Sequence, residues 1–304
     1  MPFLENPLTG GSNPDSRKSL IGRHSLPLFP ECSNPWCTSG RLHLWRSRRT
    51  PVLEGGWLCC SECTRRRIHA LITRELQGHS PPADTHAHRV PLGLILLAQG
   101  WISHEQLRKA VHAKRTGYPG RIGAWLMEHC GLEEHRVTQA LSLQWSCPVF
   151  SGEPEPALLA LSPIPRIFLD TLGLIPLRLT GSGLLFLAFE DHIDHSLVLA
   201  VERVTGRRIE AGLLNGRAFR QSHQRMLLAK FSRTRLVEGG DANTLSAALA
   251  RVIERAQPVD ARLVRVHQFF WLRMWNDHKK NSVGRHPSID CPFEDVVCSI
   301  TQFE

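Results

Sequence analysis

The chain lacks long apolar runs and contains no Gly-Lys dipeptide. A helix that spans a bilayer takes about 18 or more consecutive apolar residues. Stretches such as Leu92 to Ala98 fall far short, so no membrane insertion is expected. Met1 to Ser19 has no apolar core of the signal-peptide kind, and a cytoplasmic protein is the expectation. A P-loop needs G-x-x-x-x-G-K-[ST], whose backbone N–H groups and lysine surround phosphates. Without Gly-Lys anywhere, no nucleotide-driven motor is expected. No Ser-His-Asp, Cys-His or paired-carboxylate pattern stands out either, and the chain does not read as an enzyme.

What is present is a folded composition: 42% hydrophobic and 21% charged residues, which excludes disorder of the whole chain. A length of 304 residues suits two or three units. The net charge is +9, carried by 31 arginines and only 6 lysines. Up to Val90 there are 12 Lys+Arg against 7 Asp+Glu, so +5 of the +9 lies in the first third. That imbalance suits solubility, or an anionic partner such as nucleic acid. Nine cysteines without a secretion signal argue against a disulfide framework. Five of them (Cys32, Cys37, Cys59, Cys60 and Cys63) fall within 32 residues, which in a reducing compartment points to metal.

Along the chain, residues 1–29 read as a Pro/Gly/Ser-rich leader. Residues 30–77 form a compact unit: a knuckle at Cys32–Cys37, short strands at 41–47 and 51–59, and a helix from Cys60 with Ile68, Leu71, Ile72 and Leu76 as its apolar stripe. Residues 78–90, with His79, His86 and His88, read as a solvated linker. Residues 91–150 read as short helices, with a capping box predicted at Ser103 and Gln106. A Pro-rich connector follows at 151–165. An alternation then predicts helices at 164–172, 194–205 and 216–230 and strands at 174–179, 184–189 and 207–214. Asp191 and Asp194 read as an acidic turn capping the second of these helices. Residues 232–304 predict a helix at 244–256 capped by Asn243, and strands at 261–267, 269–275 and 295–300. Trp271 and Trp275 read as core, and Cys130, Cys147, Cys291 and Cys298 as packing residues.

The spacing C-x4-C-x22-C-x2-C selects Cys32, Cys37, Cys60 and Cys63 as a closed four-thiolate shell for structural zinc (Zn2+). Cys59 is the alternative to Cys60. Two ligands on a knuckle, a hairpin, then two at a helix N-terminus resemble a treble-clef finger, where the helix dipole favours thiolates.

Two stretches of 24 residues, Pro91 to Lys114 and Arg121 to Gln144, align without a gap. Matched positions include Leu92/Ile122, Gly93/Gly123, Leu96/Leu126, Leu107/Val137 and Ala110/Ala140. Each copy reads as a short helix, a turn and a longer helix. The pair resembles the N-terminal domain of type II secretion and type IV pilus assembly ATPases, in the version whose tandem motifs bind cyclic di-GMP. The resemblance continues through 172–214 and covers roughly 91–231, with a weaker echo beyond 244. It implies cyclic di-GMP binding at Leu92, Gly93, Lys114, Arg121, Ile122, Gly123 and Gln144.

The departures from that pattern are specific. Pro91 stands where the motif has Arg, and Lys114 where it has the closing Gln. Cys130 takes the mid-motif Gly place, with Gly131 one residue late. The expected fold is α+β: a treble-clef-like zinc finger, a helical tandem-motif subdomain (91–150), a small α/β subdomain (151–231) and a C-terminal helix plus β-meander (232–304). The expected function is a non-catalytic regulatory or docking module. It would sense cyclic di-GMP and meet a protein partner of a secretion or pilus machinery. The second choice is a zinc-finger nucleic-acid-binding protein using Arg46, Arg48, Arg49 and Arg65 to Arg67.

Overall fold

In the computed structural model the described residues are 31–38, 50–78, 89–276 and 292–301. The expected strand at 41–47, the leader, His79, His86, His88 and Cys291 lie outside them. Residues 51–59, expected as one strand, form a minimal hairpin of β1 (Val52–Leu53) and β2 (Gly56–Trp57). Glu54 and Gly55 both have positive φ, 53° and 72°, the pair of left-handed residues that a two-residue hairpin turn requires. Helix α1 (Ser61–Gln77) follows, and its buried face carries Ile68, Leu71 and Ile72.

The tandem motif folds as four helices: α2 (Leu92–Ala98), α3 (His104–Arg115), α4 (Ile122–Cys130) and α5 (Glu134–Trp145). The capping box forms as expected, Ser103 accepting from the Gln106 N–H and Gln106 from the Ser103 N–H. α2 packs mainly on α5 and α3 on α4, so each copy's short helix meets the other copy's long one. Their shared core repeats as the sequence does. Leu96 and Leu126, Ile102 and Leu132, and Ala110 and Ala140 are buried in matched pairs. The motif glycines serve that packing. A Cβ on Gly93 would fall 2.5 Å from Leu107 Cδ1, and one on Gly123 would fall 3.0 Å from Val137 Cγ1, the matched residue. In the second copy the left-handed helix end is Gly131 rather than residue 130, which keeps Cys130 inside α4.

An α/β layer follows: β3 (Val149–Phe150), α6 (Pro156–Ala160), α7 (Arg166–Leu172), β4 (Leu174–Leu179), β5 (Leu185–Phe189), α8 (His195–Thr205), β6 (Ile209–Leu214) and α9 (Gly216–Leu227). The sheet order is β3-β6-β5-β4, with only the β4–β5 pair antiparallel. Asp194 caps α8 as expected, accepting from the Leu197 N–H at 3.0 Å. α6 was not anticipated inside the Pro-rich connector; it starts with Pro156 at a helical position where no N–H is needed.

The last unit holds β7 (Thr234–Gly239), α10 (Ala242–Ala256), β8 (Asp260–Val266), β9 (Phe269–Trp275) and β10 (Phe293–Ile300), in sheet order β7-β10-β9-β8. Asp241, not Asn243, caps α10: its side chain accepts from the Thr244 N–H, and Asn243 lies within the first turn. The two-residue period of the strands divides this sheet between two cores. Leu263, Phe270, Leu272, Met274, Val296 and Cys298 face α1 and α10, whereas Val264, Val266, Trp271 and Val297 join the core of the α/β layer. Burial on both faces explains why β9, FFWLRMW, is almost continuously apolar.

Residues 50–77 and 232–301, separate units in the sequence reading, therefore share one core. Two ion pairs built on buried carboxylates fasten the layers. Glu75 on α1 accepts from Arg203 of α8 (3.0 and 3.3 Å), from Arg74 (2.9 Å) and from the Arg265 N–H (3.3 Å). Burial alone would raise the Glu75 pKa, but the two arginines hold it below its ordinary value. Asp295 accepts from Arg273 Nε (2.8 Å), Trp271 Nε1 (2.8 Å) and Ser232 (3.0 Å). Arg273 also reaches the Pro163 carbonyl at 2.7 Å, so this buried pair has its polar groups satisfied.

Candidate functional site

Two arrangements of side chains carry chemistry. The first is the cysteine cluster. The Sγ atoms of Cys32, Cys37, Cys59 and Cys63 all lie within 4.8 Å of one another. A tetrahedral ion with metal–sulfur bonds near 2.3 Å needs sulfurs about 3.8 Å apart. The Cys37–Cys59 and Cys59–Cys63 separations are 3.5 and 3.6 Å, so the four thiols fit that shell and could hold a metal ion. Buried Asn34 donates to Cys63 Sγ at 3.2 Å, the kind of outer contact that orients a ligating sulfur. Without an ion, burial pushes the Cys63 thiol up to about 12, the Asn34 hydrogen bond opposing it.

Cys59, rather than Cys60, completes the group. Cys59 is 2% exposed at the end of the hairpin and stands four residues from Cys63. Cys60 is the N-cap residue of α1, with extended backbone and a partly exposed side chain. Taking Cys60 from the C-x2-C habit placed the ligand one residue late. The Cys60 thiol borders the group, in contact with Cys59 and Cys63, but is not among the four sulfurs that all lie within 4.8 Å of one another.

The second arrangement is a cavity of about 600 Å³ between the tandem-motif helices and the α/β layer. Leu92, Arg121, Ile122, Gly123 and Gln144 line it, five of the seven residues that the resemblance singled out. The others do not. Gly93 packs against Leu107, and Lys114 Nζ donates to the Gly120 carbonyl at 3.0 Å. Gln144 donates to the Val90 carbonyl at 2.7 Å, tying the end of the second copy to the start of the first. Pro91, the residue that replaces the motif arginine, is the N-cap of α2. Two residues earlier, the Arg89 guanidinium lies 3.3 Å from the ring centroid of Trp145, a lining residue. Its buried Nη1 has no hydrogen-bond partner among the described residues.

The rest of the lining was not legible from the motif. Arg121 pairs with Asp191, and Arg220 of α9 pairs with Glu190 at 2.8 Å and Glu134 at 3.5 Å. Gly216, the first residue of α9, makes room for these acids: a Cβ there would meet Glu134 Oε1 at 2.8 Å and Glu190 Oε1 at 3.0 Å. Burial, then the Arg121 charge, holds the His192 pKa below its ordinary value. Two guanidinium groups thus face three carboxylates. Glu134 belongs to the same motif copy as Arg121, whereas Glu190 and Asp191 come from the β5–α8 loop, distant in sequence, where no local signal could have placed them.

Among solved structures, the chain is similar to that of MshE with cdg, at 22% identity over 45% of this chain and 99% of that chain, with a TM-score of 0.38. It is also similar to two structures of the N-terminal domain of XpsE. One is 20% identical over 44% of this chain and 92% of that chain, with a TM-score of 0.32. The other is 16% identical over 48% and 98%, with a TM-score of 0.26. No protein-family model and no curated protein matches the chain. No helix among the described residues is long and apolar enough to cross a membrane.

Proposed function

We propose that the chain is a non-catalytic regulatory or docking module that takes cyclic di-GMP into the cavity beside the second motif copy. The observation that carries this reading is the convergence of Leu92, Arg121, Ile122, Gly123 and Gln144 on one cavity of suitable size, about 600 Å³. The chemistry suits a dinucleotide: apolar walls for the bases, Trp145 as a stacking surface, and Arg121 and Arg220 as planar forks for phosphate or guanine edges. The anionic ligand must take those arginines from Asp191 and Glu190. Exposed ion pairs are worth about 0–1 kcal/mol, so the exchange is affordable but weakens binding.

In the same reading the four thiols of Cys32, Cys37, Cys59 and Cys63 hold structural zinc in a treble-clef-like unit. A closed four-sulfur shell has no open position for catalysis. Thiols kept for a metal suit a reducing compartment, and the module is read as cytoplasmic, docking on a protein of a secretion or pilus machinery.

Calorimetry of the full chain with cyclic di-GMP tests the ligand. Specific binding, tightened up to about fivefold by Asp191→Asn because a competing carboxylate is lost, supports it. Absence of binding in both proteins overturns it.

A further inference from the structure

A second site lies on the opposite side of the cysteine cluster's helix. The outward face of α1 borders an open groove of about 780 Å³, lined by Arg65, Arg66, His69 and Arg74, by Trp36 from the knuckle, and by Asn243 from α10. Trp36 is 61% exposed, an unusual position for the largest apolar side chain. It lies between Cys32 and Cys37, so the cluster that fixes the knuckle also fixes the indole beside the arginines.

The acids nearby do not neutralise this face. Glu62 alone accepts from both Arg65 (2.9 and 3.0 Å) and Arg66 (2.7 Å). Glu75 is turned inward at 5% exposure and is shared between Arg74 and Arg203. Asp241 is spent on capping α10. Surface pairs such as Glu62–Arg66 are worth about 0–1 kcal/mol, so a phosphate can compete for these guanidinium groups.

We propose that this groove binds single-stranded nucleic acid, with phosphates on Arg65, Arg66 and Arg74 and a base stacked on Trp36. A helical face from residue 65 to 77 is about 18 Å long at 1.5 Å per residue, which suits an extended strand rather than one nucleotide. An acidic peptide would match the charge but would leave the exposed indole without a role. Stacking platforms beside cationic tracks bind single strands with little sequence preference.

The test is fluorescence anisotropy of a labelled 12-nucleotide oligouridylate with the full chain across a salt series, with polyglutamate as competitor. Binding that weakens steeply with salt is expected. Trp36→Ala weakens it about 5- to 150-fold with the salt slope unchanged, because a stacked base and not a charge is lost. Arg66→Gln lowers affinity and flattens the slope. Metal content of each variant shows that the module is intact. No binding overturns the proposal. So does binding insensitive to Trp36→Ala, or polyglutamate that competes as well as unlabelled oligouridylate, which would make the site a peptide surface.

Discussion

The cysteine module has little core of its own, whereas the tandem-motif unit supplies its own. The knuckle around Cys32–Cys37 joins the hairpin through sulfur and Trp57, and α1 spends its apolar stripe on α10 and the C-terminal sheet. The tandem-motif helices instead pack on each other through matched residues and keep a cluster of their own. In the first region, function rests on which atoms are donors, and the fold is borrowed from distant sequence. In the second, the fold is internal, which leaves surface positions such as Pro91 and Lys114 free to depart from the motif without loss of packing.

The largest expected effect breaks the first region and spares the second. With zinc proposed on the four thiols, elemental analysis of the full chain should find it lost in Cys59→Ser and kept in Cys60→Ser. Apparent binding of structural zinc is typically about 10–16 kcal/mol, so the loss is severe. Because α1 and the C-terminal sheet share a core, hydrogen exchange should accelerate in 50–78 and 232–301 together and stay slow in 91–145. Equal zinc content in the two variants would mean that the ligand set is wrong.

The converse experiment is Leu126→Ala, at a position 0% exposed, or its match Leu96→Ala. Each should cost about 2–5 kcal/mol in chemical denaturation and leave metal content unchanged. A smaller effect is expected at the two motif glycines. Gly93→Ala and Gly123→Ala should each destabilise by about 1 kcal/mol, overpacking of about 1–3 kcal/mol being offset by about 1 kcal/mol of helix propensity. The larger overlap at Gly93 falls on the end of Leu107, which can swing aside. The smaller one at Gly123 falls on branched Val137, which cannot.

The smallest expected effect concerns the joint between the α/β layer and the C-terminal sheet, where His267 pairs with Asp194. The Asp194 hydrogen bond raises the His267 pKa against the opposing effects of burial and Arg265. Burial would raise the Asp194 pKa, but His267 and the Leu197 N–H hold it below its ordinary value. The histidine's contribution is complete below about 6.5 and fades as pH rises through its raised value; that of Asp194 fades only in acid. His192 and Arg265 also face this joint. Thermal denaturation from pH 6 to 9 should therefore fall more for the parent than for His267→Gln, by under about 1 kcal/mol for so exposed a pair. Parallel curves would assign the pair no role.

Much of this was legible in the sequence where a local period reports burial. The matched pairs Leu96/Leu126 and Ala110/Ala140, strands β4 and β9, and the Ser103 capping box all follow from spacing. What escaped depends on partners far away. β7 was missed because TRLVEG lies at a sheet edge with an exposed Leu236 and pairs with β10, about 60 residues on. The second half of the cavity escaped for the same reason: Glu190 and Arg220 join the motif residues only after the layers close. The choice of Cys60 over Cys59 turned on a single residue of register at the hairpin's exit.

The central claim is that the second motif copy, not the first, holds the ligand. The direct measurement is calorimetric titration of cyclic di-GMP into the full chain carrying Arg121→Ala or Lys114→Ala. Losing one charge-assisted contact costs about 1.5–3 kcal/mol, so Arg121→Ala should weaken binding about 10- to 150-fold. Lys114→Ala, whose ammonium lies on the Gly120 carbonyl outside the cavity, should leave it within about twofold. Equal losses in both variants, or binding indifferent to Arg121→Ala, would contradict the account.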